Sequence, residues 1–216
     1  MKSHEIDDPL FRELPVVVRV DGRGFSKFTE GFEKPYDYRI TNAMRNAAEE
    51  VLKQTPALFG FTHSDEASFV FYEPNPEQTP WFRNRPQKIG SIVSSIFSVS
   101  FSMKLETPAV FDGRTFQLPS VTELFNYFLW RENDAIRNHI NAFAHEFFDQ
   151  TELWQKDSRE RKKMLKAKCI DVDQHELSHG TFLYRNEHTP SRVRDLLGSR
   201  DLRQDFETEF QIPVWP

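Results

Sequence analysis

Pro15-Val16-Val17-Val18-Arg19-Val20-Asp21-Gly22-Arg23-Gly24 begins β-branched and almost unbroken in apolar character, as a strand buried on both faces is. It stops at a turn of glycines and charges, so Asp21 falls at the strand's C-terminal end. Further on, Phe59-Gly60-Phe61-Thr62-His63 and Ala67-Ser68-Phe69-Val70-Phe71-Tyr72 are again aromatic and β-rich, with only Ser64-Asp65-Glu66 between them. That pattern predicts a β-hairpin with acids at its tip.

Between these strands, Ile40, Ala43, Met44, Ala47, Ala48, Val51 and Leu52 recur at helical spacing until Pro56 stops them. This predicts an amphipathic helix packed on the sheet. Residues 74–86 are proline-rich loop, and Ile89, Ile92, Val93, Ile96, Phe97 and Phe101 form a second helical stripe with Ser on its other faces. Residues 111–119 read as a turn and strand, and two helical segments follow, around 121–131 and 133–148. Strand, helix, hairpin, helix and strand together predict an α+β sandwich, in which a mixed or antiparallel sheet carries helices. Residues 1–150 read as the catalytic domain and 151–216 as a basic, helical C-terminal extension, with a short helix expected in the tail from Arg192.

The 216 residues allow one large domain with an appendage, and 21 Phe supply enough apolar bulk for a core. Lys and Arg number 28 against 33 Asp and Glu, a net charge of −5 that excludes a generally basic nucleic-acid binder. The basic charge is local: Lys156, Arg159, Arg161, Lys162, Lys163, Lys166 and Lys168 stand against Asp157 and Glu160. That run suits an RNA backbone as well as it suits a plain solvated helix. A single cysteine, Cys169, excludes a disulfide scaffold and a Cys-based zinc site. The charged N-terminal segment lacks an apolar core of secretory type, and residues 89–105, interrupted by six Ser, are too polar for a membrane span. The expectation is a cytoplasmic protein with no membrane partner.

Asp21 at a strand end and Asp65-Glu66 at a hairpin tip can lie side by side on one sheet edge. Clustered carboxylates repel unless a cation neutralises them, and Mg²⁺ takes one or two carboxylates, completing its shell with water and phosphate oxygens. Gly22 and Gly24 let backbone approach a metal or phosphate closely. Ordinary solvated turn acids are the competing reading on spacing alone. Arg85 and Lys88, beside a helix start, suit phosphate, because a helix N-terminus also favours anions.

The wording around these acids is specific. Val-Arg-Val-Asp-Gly-Arg-Gly-Phe at 18–25, Lys34-Pro35 with Asp37, Ser64-Asp65-Glu66-Ala-Ser-Phe-Val-Phe, and Phe111-Asp112-Gly113-Arg114 together resemble the tRNA-His guanylyltransferase family and its guanylyltransferase-like relatives. The resemblance runs from about Pro15 to about Phe148. It implies a polymerase- or cyclase-like palm that adds nucleotides to the 5′ end of tRNA or a tRNA-like RNA in the 3′-to-5′ direction. It also implies GTP, ATP or another NTP as substrate, and a homotetramer built as a dimer of dimers.

By the same resemblance, Asp21, the Gly22 carbonyl and Asp65 hold two Mg²⁺ ions, and Glu66 binds metal or supports the site. Arg23, Gly24, Phe25, Lys34 and Ser64 lie near the nucleotide, Arg85 and Lys88 on its triphosphate. Trp130 to Asn138 resembles the guanylyltransferase-like branch, making Arg137 and Asn138 candidate RNA contacts beside Lys162, Lys163 and Lys166. Ile136 replaces a His that eukaryotic members use in 5′-end activation, and Gln174 replaces a Lys. Both changes imply an already triphosphorylated 5′ end as substrate, as in repair of truncated tRNAs.

Two other readings keep the palm: a nucleotide cyclase or signal synthetase without RNA, and a non-catalytic tRNA-binding module. His175-Glu176-Leu177-Ser178-His179 also spells the zinc-peptidase HExxH, which needs both His on one helical face. Gly180 and the absence of a helical stripe argue against it, in favour of a surface or RNA-facing His pair. His139 and His145 read as packing residues rather than ligands.

Overall fold

The structure is a computed structural model and describes residues 8–173, 175, 177–186 and 189–196. Its centre is one sheet of six strands: β1 (Val16–Gly22), β2 (Phe59–His63), β3 (Glu66–Phe71), β4 (Phe111–Gln117), β5 (Thr181–Asn186) and β6 (Thr189–Leu196). They lie in the order β4-β1-β3-β2-β5-β6, and every neighbouring pair is antiparallel. The helices are α1 (Phe25–Phe28), α2 (Tyr38–Gln54), α3 (Pro86–Leu105), α4 (Val121–Phe147) and α5 (Ser158–Ala167).

Both faces of the sheet are covered, which is why β1 reads as an almost continuous apolar run. Val16, Val18 and Val20 point to the core shared with α2 and α3, whereas Val17 points to the core shared with α4. Alternation therefore sends Arg19 and Asp21 to the α4 face. On the first face α2 buries Ala43, Met44, Ala47, Ala48, Val51 and Leu52, matching the stripe read from sequence. Full burial of side chains such as Met44 and Leu52 contributes about 1.5–3 kcal/mol each. The hairpin of β2 and β3 forms as expected, with Ser64 in the left-handed region at φ 53°.

Three sequence expectations change. The Asp112-Gly113-Arg114 segment is strand rather than turn, pairing with Asp21, Val20 and Arg19. Its glycine serves close packing: a Cβ at Gly113 would sit 2.9 Å from the Gly90 carbonyl oxygen of α3. The two helical segments after Ser120 are one helix, α4, of 27 residues. Nothing helix-breaking separates them, since Glu132 and Asn133 are polar without being glycine or proline. Finally, the region after residue 150 is helical only in part. α5 carries a capping box from Asp157 and Glu160, but β5 and β6 extend the sheet through β2. Residues 192–196, read as the start of a helical tail, lie in β6, and residues 197–216 fall outside the described residues.

α4 is about 40 Å long at 1.5 Å per residue, against about 23 Å for a seven-residue strand. Its N-terminal half, through Leu124 and Phe128, covers the sheet. Its C-terminal half, through Ile140 and Ala144, packs with Leu153 and with Leu165 of α5. The helix therefore overhangs the sheet at the Asp21 end and walls in the site there.

Candidate active site

Asp21 lies opposite Glu66 of β3 and Asp112 of β4 in the register. The Gly22 amide donates to the Asp65 carbonyl at 3.1 Å, which ties the end of β1 to the hairpin tip and brings the two aspartates together. Burial, and after it the charge of Asp21, pushes the Asp65 carboxyl up from the ordinary carboxylate range. Ser64 Oγ donates to Asp65 Oδ1 at 3.2 Å. Two crowded carboxylates beside a backbone carbonyl form an acceptor-only set that suits a hard cation. Among the described residues no three His, Cys, Asp or Glu side chains converge as metal ligands. A cation held by Asp21, Asp65 and the Gly22 carbonyl would thus complete its shell with water and phosphate, as Mg²⁺ does.

Glu66 has other partners. Its carboxylate pairs with the Arg131 guanidinium and faces Arg19 Nε at 3.7 Å. Arg131 is buried, reaches Asp134 at 3.4 Å and lies 4.8 Å from the Trp130 ring centroid. Asp134 is held in turn by Arg137 at 2.7 Å. A carboxylate claimed by two guanidiniums supports the site's frame. Of the two roles read for Glu66, support is the one this geometry fits.

Beside the aspartates opens a cavity of about 200 Å³. Lys34, Ser64 and Phe25 line it, together with Phe32, Tyr36, Thr62, His63 and, from the overhang of α4, Asn138. Its size and its mixed aromatic and polar wall suit a nucleoside. Phe25 is fixed by the Phe28, Phe101 and Phe111 rings, and Gly24, at φ 64°, turns the chain from β1 into α1. Arg23 is exposed on a neighbouring groove with Gly24, Lys27 and Val110, its amide bonded to the Val110 carbonyl. At the N-terminus of α2, Asp37 accepts from the amides of Glu33 and Arg39, and the Arg39 side chain holds its carboxyl far below the usual range.

Tyr36, on the cavity wall, belongs to an aromatic stack that no sequence pattern announces. Tyr36 stacks on His139 and His175 at 5.4 and 5.6 Å, with Phe143 against both His rings. His139 Nε2 can bond only an acceptor, the Val172 carbonyl, so Nε2 carries the proton and the Tyr36 hydroxyl donates to Nδ1 at 2.9 Å. Burial, with His175 adding to it, holds His139 down at about 4. His63 is also held at about 4, by burial and then by Arg131.

The HExxH reading does not survive this geometry. Residues 177–179 form a turn rather than a helix. His175 Nδ1 accepts from the Leu177 amide inside the Tyr36 stack, whereas His179 Nδ1 faces Glu132 at 3.3 Å. The pair is thus neither a metal face nor a surface feature; Gln174 and Glu176 lie outside the described residues.

Arg85 and Lys88 do not line the cavity. Gly90 of α3 packs on Gly113 and Thr115 of β4, Ser98 bonds the Phe111 amide, and Ser102 bonds Ala109. α3 therefore starts at the Val16–Gln117 end of the sheet and runs toward the Asp21–Asp112 end. Lys88 precedes Gly90 by two residues and Arg85 is the residue before α3, with Lys88 Nζ over the Phe82 ring at 4.6 Å. Of the basic run, Lys162 is tied to Asp173 at 2.5 Å, while Lys163 and Lys166 are exposed.

A family model described as tRNAHis guanylyltransferase matches residues 1–119, more than half of the chain. The chain belongs to this family. It is 30% identical to a probable tRNA(His) guanylyltransferase of Drosophila melanogaster over 99% of this chain and 77% of that one. It is 36% identical to the tRNA(His) guanylyltransferase of Schizosaccharomyces pombe over 65% of this chain and 56% of that one. The fold matches a bacterial tRNA(His) guanylyltransferase-like protein in complex with ATP, at 26% identity and a TM-score of 0.86, over 95% of this chain and 92% of the other. A second structure of a bacterial tRNA(His) guanylyltransferase-like protein, in complex with GTP, matches at 25% identity and a TM-score of 0.80, over 97% of this chain and 93% of the other. The guanylyltransferase family is one of nucleotidyltransferases.

Sequence reasoning missed Arg131, although an Arg among acids at i+1 and i+3 on a helix is itself a signal. The reading of His139 as a packing residue holds, but its meeting with Tyr36 and His175 was missed because it depends on the overhang of α4.

Proposed function

We propose that this guanylyltransferase family member is a Mg²⁺-dependent nucleotidyltransferase that extends the 5′ end of tRNA or a tRNA-like RNA in the 3′-to-5′ direction. The observation that carries the reading is the pair Asp21 and Asp65, tied together through the Gly22 amide, with Asp65 next in the chain to Ser64 on the wall of a cavity that Lys34 also lines. The 3′-hydroxyl of the incoming nucleotide attacks the α-phosphorus of a 5′-triphosphorylated RNA. A new O–P bond forms, pyrophosphate leaves and the hydroxyl proton passes to solvent. Mg²⁺ at Asp21, Asp65 and the Gly22 carbonyl would supply a lowered hydroxyl pKa and neutralise charge on the phosphates. Lys34 and Ser64 hold nucleotide phosphate at the mouth, Phe25 and Phe32 flank the base, and Asn138 closes the cavity from α4. The relatives solved with ATP and GTP support an NTP as ligand.

Ile136 supports an already triphosphorylated end as substrate, since the side chain packs into the apolar cluster between α4 and α5. A homotetramer is supported by Ile92, Val99 and Met103, apolar side chains exposed on α3; sedimentation should then give the mass of four chains. No described helix is long and apolar enough to cross a membrane, which fits a cytoplasmic enzyme.

The test incubates the protein, and its Asp65→Ala variant, with Mg²⁺, the four NTPs and a 5′-triphosphorylated tRNA lacking its first nucleotide. Extension that disappears with Asp65→Ala is expected. A cyclic nucleotide product, or tRNA binding without transfer by the parent protein, would overturn the reading.

A further inference from the structure

The aspartates divide the open end of the sheet into two flanks. On the β3–β2 side lies the enclosed cavity, bounded by Thr62, Ser64 and Thr181. On the β1–β4 side the α4 face of the sheet is open only at its Asp21–Asp112 end. Tyr127 of α4 reaches Ser68, at 2.8 Å, and the Phe116 ring, at 5.5 Å, and beyond it Asp112 and Arg114 are exposed. Trp130 stands one turn further along α4, its ring 6.2 Å from that of Tyr127. It is 50% exposed. The Arg131 guanidinium backs its ring at 4.8 Å, and Arg131 also holds Glu66, the register partner of Asp21.

Transfer to an RNA 5′ end requires two nucleotides at the aspartates, one on each side of the bond being made. The cavity has room for one. The other must approach over the open flank, where the large apolar ring on offer beside the carboxylates is Trp130. We infer that Trp130 is the stacking platform for the 5′-terminal base of the RNA, an inference that rests on the RNA-extending function proposed above. The indole face meets a nucleobase through its π surface, so it positions any of the four bases without reading their identity. Arg131 keeps the ring in one orientation from behind, and the salt bridge to Glu66 fixes that orientation relative to Asp21. Base placement and carboxylate placement then share one frame. Arg114, exposed on the same flank, is free to approach the phosphate of that nucleotide despite its 3.6 Å contact with Asp112.

The experiment uses the full chain and a 5′-triphosphorylated tRNA that carries 2-aminopurine as its 5′-terminal base, with the parent protein, Trp130→Ala, Trp130→Phe and Asp65→Ala. Binding should quench 2-aminopurine in the parent and in Asp65→Ala, the latter without extension. Trp130→Phe should keep most of the quench. Trp130→Ala should lose it and raise the half-saturating RNA concentration by roughly 5- to 150-fold, the worth of one stacked base, with KM for the NTP within about twofold of the parent value. Unchanged quench and RNA affinity in Trp130→Ala, with extension intact in the parent, overturns the role of Trp130 and leaves the function standing. A rise in KM for the NTP instead would assign the ring to the incoming nucleotide and overturn it too. Equal losses in Trp130→Phe and Trp130→Ala with a lowered Tm would make the residue a structural clamp for Arg131. A parent protein that neither binds nor extends the RNA overturns both readings together.

Discussion

Replacing Arg131 by Met tests whether Glu66 belongs to the frame of the site or to its metal. The Arg131 guanidinium is 5% exposed and lies between Glu66 and Asp134. Removing one partner of a buried ion pair costs about 3–5 kcal/mol, because the other charge is left desolvated. Two features reduce that here: the Glu66 side chain is 23% exposed and keeps Arg19 at 3.7 Å, and Asp134 keeps Arg137 at 2.7 Å. We therefore expect Arg131→Met to cost about 2–3 kcal/mol, lowering Tm by roughly 4–12 °C in a chain of this length. Glu66→Gln removes the opposite charge, so the double variant should be less destabilised than the sum of the singles by about 1–2 kcal/mol. Urea unfolding of the four proteins reads that coupling directly. Strict additivity would refute the pairing. Activity supplies the second arm: Glu66→Gln should retain measurable 5′ extension, whereas Asp65→Ala should not. Loss as complete in Glu66→Gln as in Asp65→Ala, with the fold intact, would return Glu66 to the metal.

Gly113→Ala places a Cβ 2.9 Å from the Gly90 carbonyl oxygen and 3.1 Å from Ser94 Cβ, and should cost about 1–3 kcal/mol in urea unfolding; an unchanged midpoint would remove close α3–β4 packing as the reason for this glycine. His139, held at about 4 against its ordinary 6.5, stays neutral in the fold while the unfolded chain takes a proton. Stability is therefore full above about pH 6.5 and falls by about 1–3 kcal/mol as pH drops toward 4, and His139→Phe should flatten that part of the curve; equal slopes in variant and parent would refute it. Lys163 and Lys166 are exposed on α5, so replacing both with Ala should reduce the slope of log affinity against log salt for tRNA by about 2; an unchanged slope would return α5 to the role of a plain solvated helix.

What was legible in the sequence follows from how each signal is built. β1 and the hairpin carry their own evidence, since a strand buried on both faces has little choice but Val and Phe. Gly113 misled because a glycine between Asp and Arg looks the same whether it turns the chain or admits a helix. For Arg85 and Lys88 the sequence is silent on direction: a motif beside a helix start tells which residues neighbour each other, but not toward which end of the sheet that start points. β5 escaped because its partner β2 lies more than a hundred residues earlier, and its short run Thr181-Phe182-Leu183-Tyr184 follows a stretch with no strand period.

The site depends most on the element whose continuity the sequence concealed. Broken after Arg131, α4 would end above the sheet. Continuous, it puts successive faces to separate uses within three turns. Trp130 goes to the open flank and Arg131 to Glu66, Asn138 to the cavity and His139 to the Tyr36 stack, and Ile136 to the apolar seam with α5. At 100° per residue no side chain can serve two of these directions, so the apolar residue at 136 and the packing of α5 are a single choice. A polar ring at 136 would have to be solvated within the cluster of Ile140, Ala144, Leu153 and Leu165. The residue at 136 is thereby tied to the packing of α5, and that tie supports the proposed preference for an already triphosphorylated 5′ end.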